Sequence, residues 1–113
     1  MGSHEAIAAA KAGVEGLARS AAATYAARGI CFNVVAPGLV ASPLSHLITR
    51  APAARKLSES LHPLGRIGAP EDVARAACWF LDPAQSWVTG QVLGVDGGLS
   101  HVQPRPRVSA GKS

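Results

Sequence analysis

Apolar residues at Ile7, Ala10, Val14, Leu17, Ala21 and Tyr25 recur at intervals of three and four, the period of an α-helix. Ala, Leu, Lys, Arg and Glu fill most of the positions between them, and all are strong helix formers. The pattern predicts one helix over residues 4–28. Gly29 stands where a helix closes in a left-handed turn, with Arg28 in the last turn against the negative end of the dipole. Small residues occupy the other sides: Ala8, Ala12, Gly13, Gly16, Ala22, Ala23 and Ala26. A helix with one wet face does not need them. Burial on two sides is expected, one against a sheet and one against another helix, such as that of a second subunit.

The period then changes. Residues 30–35 form a near-continuous apolar run, the mark of a strand covered on both faces. Its one polar member, Asn33, is expected to bond neighbouring backbone rather than a ligand. Pro37 and Gly38 stop the strand abruptly. Residues 42–61 return to helical spacing, with one apolar patch at Leu44, Leu47 and Ile48 and a second at Ala54, Leu57 and Leu61. Pro52 falls between them, so two short helices with a kink are expected, forming a lid or wall. Residues 62–69 read as a loop. Pro70 then opens a helix at its first position, with Glu71 and Asp72 in the first turn and a buried stripe at Val73, Ala76, Ala77, Phe80 and Leu81. Asp82-Pro83 ends it, and residues 85–90 form a loop holding Trp87 and Thr89. Residues 92–95 read as a short strand closed by Asp96-Gly97-Gly98. From His101 the chain is rich in Pro, Ser and Arg without periodicity. It is expected to be a domain over residues 1–100 followed by a disordered basic tail over 101–113.

Helix, strand, sharp turn, helix and strand in that order make an α/β chain with a parallel sheet. Ligands in such sheets bind at the carboxyl ends of the strands, which places the expected ligand site at residues 37–42. Two strands are too few to cover these helices or to stand alone, so the chain is expected to form part of a larger sheet.

Composition narrows the picture. The chain has 113 residues, enough for one small domain, and its 48% apolar content argues against wholesale disorder. The net charge of +4 owes much to Arg105, Arg107 and Lys112 in the tail. A tail without interleaved aromatics reads as solvated, and nucleic acid is not expected as a partner. Cys31 and Cys78 lie among apolar neighbours and are expected to be buried free thiols, which suits a reducing, cytoplasmic compartment. No apolar run is long enough to span a bilayer, and no secretory signal pattern opens the chain, so no membrane role is expected. The four histidines are scattered, without metal-ligand spacing.

Four segments in this order resemble the C-terminal half of a short-chain dehydrogenase/reductase: AAAKAGVEGLARSAAATYAARGI, NVVAPGLVASPL, HPLGRIGAPEDVARAACWFL and WVTGQVLGVDGG. The resemblance runs from about His4 to Ser100. It implies the later half of a Rossmann-type, doubly wound parallel sheet, and an NAD(P)-dependent oxidoreductase acting on carbonyls and alcohols. In that family a tyrosine four residues before a lysine on the long helix exchanges the substrate proton, and the lysine lowers its pKa and holds the nicotinamide ribose. The lysine matches Lys11. Ile7 holds the tyrosine's place, and an alkyl group transfers no proton. Tyr25 lies fourteen residues beyond Lys11, about 21 Å along a helix, and does not substitute for it.

The resemblance further implies that Pro37 and Gly38 form the turn beside the nicotinamide ring, that backbone at Val40 bonds its carboxamide, and that Ser42 replaces a threonine with its hydroxyl kept. His62, Arg66 and Asp96 match positions read as structural. The family's serine, its helix asparagine and its glycine-rich dinucleotide turn would precede Met1. The expectation is therefore an NAD- or NADP-dependent oxidoreductase fold, truncated and inactive as this chain. The alternative is a non-catalytic module packing through the Ala-rich helix, which in the family joins a four-helix bundle between subunits and so implies a homo-oligomer.

Overall fold

The computed structural model describes residues 2–105, with side chains from His4 onward. Helix α1 (Gly2–Tyr25) runs into a single 3-10 turn at Ala26–Arg28. Gly29 closes it at φ 71°, with its N–H donating to Ala26 O at 2.9 Å, as its place after Arg28 predicts. Strand β1 (Val34–Pro37) and strand β2 (Val92–Val95) pair in parallel, Val34 opposite Val92 and Pro37 opposite Val95. Helices α2 (Pro43–Thr49), α3 (Pro52–Leu61) and α4 (Pro70–Leu81) lie in the connection between them. The break at Pro52 falls where the sequence places it. A proline lacks the N–H that would continue α2, and it suits the first turn of α3.

Strand β1 begins four residues later than the apolar run does. Over residues 30–33 the ladder is replaced by other bonds. Phe32 N–H donates to Thr89 Oγ1 at 3.0 Å, and Gly90 N–H donates to Phe32 O at 2.7 Å. The Asn33 side chain donates to Val88 O and accepts from Gln91 N–H, both at 3.0 Å. Asn33 thus bonds backbone, as expected, and stands in for a rung of the sheet. Gly90, at φ +72°, turns the facing segment away from strand geometry, which is why side chains complete the pairing.

Several burial expectations are corrected. The covered residues of α1 are Glu15, Ala18, Ala21 and Ala22, of which Ala22 is buried and lies against Gly90. Of the apolar stripe read from the sequence, Ile7, Val14 and Leu17 are exposed, Leu17 at 71%, while Ala21 is half-buried. Small side chains let the helix backbone come close to the strands, and the larger apolar ones project from the helix. Cys31 and Cys78 are free, as expected, but exposed rather than buried. In α4, Val73, Ala76, Ala77 and Phe80 are half-buried, while Leu81 is exposed. In α2 and α3, Leu44, Leu47, Ile48, Leu57 and Leu61 are exposed. Ser45 and Thr49 take the buried positions instead. The helices carry more apolar surface than two strands can cover, and among the described residues Ala22 and Ile67 are the buried apolar ones.

The tail expected from His101 falls partly on residues 106–113, which lie outside the described residues. At its start, the N–H groups of His101 and Val102 turn back onto Gly98 O at 3.3 and 2.9 Å.

Candidate functional site

Pro37, Gly38, Val40 and Ser42 come together at the carboxyl end of β1, and three contacts fix the path of this loop. Gly38 N–H donates to Val95 O at 3.1 Å and ties the loop to the end of β2. A Cβ on Gly38 would stand 2.9 Å from both Asp96 Cβ and His62 Nε2, so only glycine fits there. Beyond it, Val40 pairs with Gly68 in a parallel bridge. Gly68 N–H donates to Leu39 O at 2.8 Å, and Ala41 N–H donates to Gly68 O at 2.9 Å.

That bridge sets the direction of one backbone group. The Leu39–Val40 peptide is trans, so its C=O and N–H point oppositely. Leu39 O faces Gly68, and the Val40 N–H therefore faces away from it. It has no acceptor among the described residues. The carbonyl of Val40 is occupied, accepting from Ser45 Oγ at 2.6 Å. The loop thus presents one oriented, unused hydrogen-bond donor at a strand end.

Ser42 caps α2. Its Oγ accepts from Ser45 N–H at 3.0 Å, and its own N–H donates to Ser45 Oγ at 2.8 Å. The side chain is engaged in the cap, which gives Ser42 a local role beside any contact with a ligand.

His62 is buried, at 4% exposure. Its Nε2 accepts from Leu39 N–H at 3.2 Å, and its Nδ1 lies 2.7 Å from Ser58 O in α3. An amide can only donate, so Nε2 is the acceptor and the ring proton sits on Nδ1, donating to Ser58 O. Sequence reading assigned His62 a structural part and could not see these partners. Leu39 lies 23 residues away, and no spacing rule connects them.

Arg66 and Asp72 form a two-point pair, Nη1 to Oδ2 at 2.9 Å and Nη2 to Oδ1 at 3.4 Å. Asp72 also accepts from Ala69 N–H at 2.7 Å at the start of α4. The Arg66 bond foremost, then the Ala69 N–H, hold the Asp72 carboxyl at about 2, and the same bond to Asp72 raises Arg66. The Ser100 side chain, and after it the N–H groups of Gly98 and Ser100, hold the Asp96 carboxyl below its ordinary value. A cleft of about 590 Å³ beside β2 is lined by Arg66, Asp72, Asp96 and His101, among others. Pro37, Val40, Ser42 and Lys11 do not line it. Its carboxylates are satisfied by Arg66 and by backbone, the behaviour of structural groups.

Lys11 is exposed on α1, without a hydrogen bond or ion pair among the described residues. It continues the covered stripe of Glu15, Ala18 and Ala22 by one turn. The chain reverses after Gly29, so β1 runs back along α1. Tyr25 packs on Phe32, ring centroids 5.6 Å apart, and Ala22 lies against Gly90. Ile7 lies one turn before Lys11 on the same side. Among the described residues no group of three or more His, Cys, Asp or Glu could hold a metal ion.

The family profile described as Enoyl-(Acyl carrier protein) reductase matches residues 1–100. The chain is 47% identical over 93 residues to 3beta-hydroxysteroid dehydrogenase 1 of Eggerthella lenta, covering 82% of this chain and 36% of that protein. It is 44% identical over 92 residues to the 3-oxoacyl-[acyl-carrier-protein] reductase FabG of Thermotoga maritima, covering 81% and 37%. Among solved structures, a short-chain type dehydrogenase/reductase from Mycobacterium ulcerans superposes with a TM-score of 0.76 at 36% identity, over 83% of this chain and 34% of the other. A proposed 2-deoxy-D-gluconate 3-dehydrogenase from Agrobacterium tumefaciens with bound NADP gives the same TM-score at 38% identity, over 80% and 37%. The chain spans a little over a third of the length of the curated relatives it matches. The parallel strand pair, the loop at its carboxyl end and the match across residues 1–100 agree, and the chain belongs to the short-chain dehydrogenase/reductase family.

Proposed function

We propose that this chain forms the nicotinamide side of an NAD(P)-dependent oxidoreductase site for carbonyl or alcohol substrates. The observation that carries this reading is the Val40 N–H, oriented away from Gly68 and left without an acceptor among the described residues. A carboxamide oxygen is a fitting partner for it. Pro37 and Gly38 form the wall beside the ring, and Lys11 holds the ribose hydroxyls. When bound, NAD(P) supplies the hydride chemistry. These residues bind and orient its nicotinamide end, and α2 brings apolar Leu44, Leu47 and Ile48 to the substrate side.

Ile7 argues that this chain does not complete the reaction by itself. It stands one helical turn from Lys11, where the family's proton-exchanging tyrosine belongs, and it has no proton to exchange. Purified chain supplied with NADPH and a carbonyl substrate is expected to leave the NADPH absorbance unchanged. Steady, protein-dependent consumption would overturn this.

Val14 and Leu17 on the outer side of α1 support self-association as well. An apolar stripe on a helix whose other side already meets the sheet suits a second copy of the same helix. Free, exposed thiols at Cys31 and Cys78 agree with a reducing compartment such as the cytoplasm. No helix among the described residues is long and apolar enough to cross a membrane.

A further inference from the structure

We infer that His62 is a positioning residue, a two-ended strut through which lid helix α3 fixes the Leu39–Val40 segment and so the direction of the free Val40 N–H. One end of the ring donates from Nδ1 to Ser58 O in α3, and the other accepts at Nε2 from Leu39 N–H. The backbone around His62 is anchored to the other strand end. Leu64 N–H donates to Gly97 O at 3.0 Å, and Gly65 N–H donates to His62 O at 2.7 Å. His62 and the backbone beside it therefore join three segments: the ring ties the loop after β1 to the lid helix, and the Leu64 N–H ties this corner to the turn after β2.

The strut acts on the nicotinamide wall because of where its bond lands. Leu39 is held on both of its peptide groups. Its N–H goes to His62 and its C=O goes to Gly68. With both peptides pinned, the Val40 N–H has one direction. Releasing the Leu39 N–H leaves that direction held by Gly68 alone. A displacement of α3 that carries Ser58 away pulls on the ring and, through it, on Leu39. Gly38 makes the arrangement possible, since a side chain there would meet Nε2 at 2.9 Å. This inference rests on the nicotinamide reading for its purpose, but its geometry can be tested without cofactor.

Two substitutions separate the ends of the ring. Asn places an amide near Nδ1, so His62→Asn keeps a donor for Ser58 O and loses the acceptor for Leu39. Gln reaches the position of Nε2, so His62→Gln keeps an acceptor for Leu39 and loses the bond to α3. Amide hydrogen exchange of the full chain reads the result at Leu39, with Phe80 in α4 as the reference. His62→Asn is expected to speed Leu39 exchange at least tenfold more than Phe80, and His62→Gln to hold the two within about threefold of each other. Equal acceleration of Leu39 and Phe80 in both variants would reduce His62 to a packing residue and overturn the inference.

The native protein offers a check that needs no variant. Imidazole nitrogen shifts should show the proton on Nδ1 and an unprotonated, hydrogen-bonded Nε2. A proton on Nε2 would put two donors face to face and refute the strut. A native chain whose Val40 amide ignores NADPH would sink the nicotinamide reading. The exchange contrast at Leu39 would still decide the strut.

Discussion

Gly38→Ala is the substitution that most directly probes the crowding behind the loop. Gly38 is not among the glycines at positive φ, so alanine meets no backbone strain there. The cost is one of space. The added methyl would lie 2.9 Å from Asp96 Cβ, 2.9 Å from His62 Nε2 and 3.0 Å from Asp96 Cα, and two of these three atoms belong to one residue held in a tight turn. Asp96 cannot retreat freely, because its carboxylate accepts from Gly98 N–H at 3.0 Å and from Ser100 N–H at 3.2 Å. Overpacking of this kind costs about 1–3 kcal/mol. Against it, alanine restricts the unfolded chain by about 0.4–1 kcal/mol. The net expectation is a loss of about 1–2 kcal/mol, which for a domain of this size lowers Tm by on the order of 5–15 °C. Thermal unfolding followed by circular dichroism measures it. Gly13→Ala is the control, since a Cβ there meets nothing within 4 Å and should stabilise α1 by up to about 1 kcal/mol. A Gly38→Ala protein as stable as the native one would refute the close approach of the loop to Asp96 and His62.

Three further outcomes are expected. Asn33→Ala removes a donor to Val88 O and an acceptor for Gln91 N–H and should cost about 1–3 kcal/mol in urea unfolding; a change near zero would mean the side chain does not replace a rung of the sheet. Because the Asp72 carboxyl is lowered from 3.8 to about 2, its contribution is full above about pH 4 and fades as the pH falls towards 2. Tm should drop across that window, and Asp72→Asn should flatten the drop, whereas identical slopes for the two proteins would contradict the Arg66 pairing. Leu17→Glu places a charge on the outer stripe of α1 and should shift the chain towards monomer in sedimentation velocity, while an unchanged distribution would argue against association through that helix.

The order of elements was readable because each rests on local signals: Gly29 closing α1, Pro52 parting α2 from α3, Pro70 opening α4 and the Asp96-Gly97-Gly98 turn closing β2. Asn33 was readable for a similar reason, since a lone polar side chain in an apolar run needs backbone partners. Burial was read less well. Periodicity shows that Val14 and Leu17 share a face of α1, but it does not say what covers that face, and it is Ala22, on the small-residue side, that lies against Gly90. The exposed thiols of Cys31 and Cys78 follow from the same cause, because an apolar neighbourhood in sequence becomes burial only where enough surface exists to cover it. At the site, the turn at Pro37 and Gly38 was legible as a strand end. Val40 was reached only through the family resemblance, and the orientation of its N–H and the His62 strut were not legible, since both depend on segments 23 to 28 residues away that only the folded chain brings together.

The claim that residues 37–42 form a nicotinamide wall is tested most directly by titrating the isotope-labelled chain with NADPH and following every backbone amide by nuclear magnetic resonance. The Val40 amide should move furthest, with Gly38 and Leu39 next and α4 unmoved. Shifts gathered instead around Leu93 and His101, or none at saturating nucleotide, would contradict the claim.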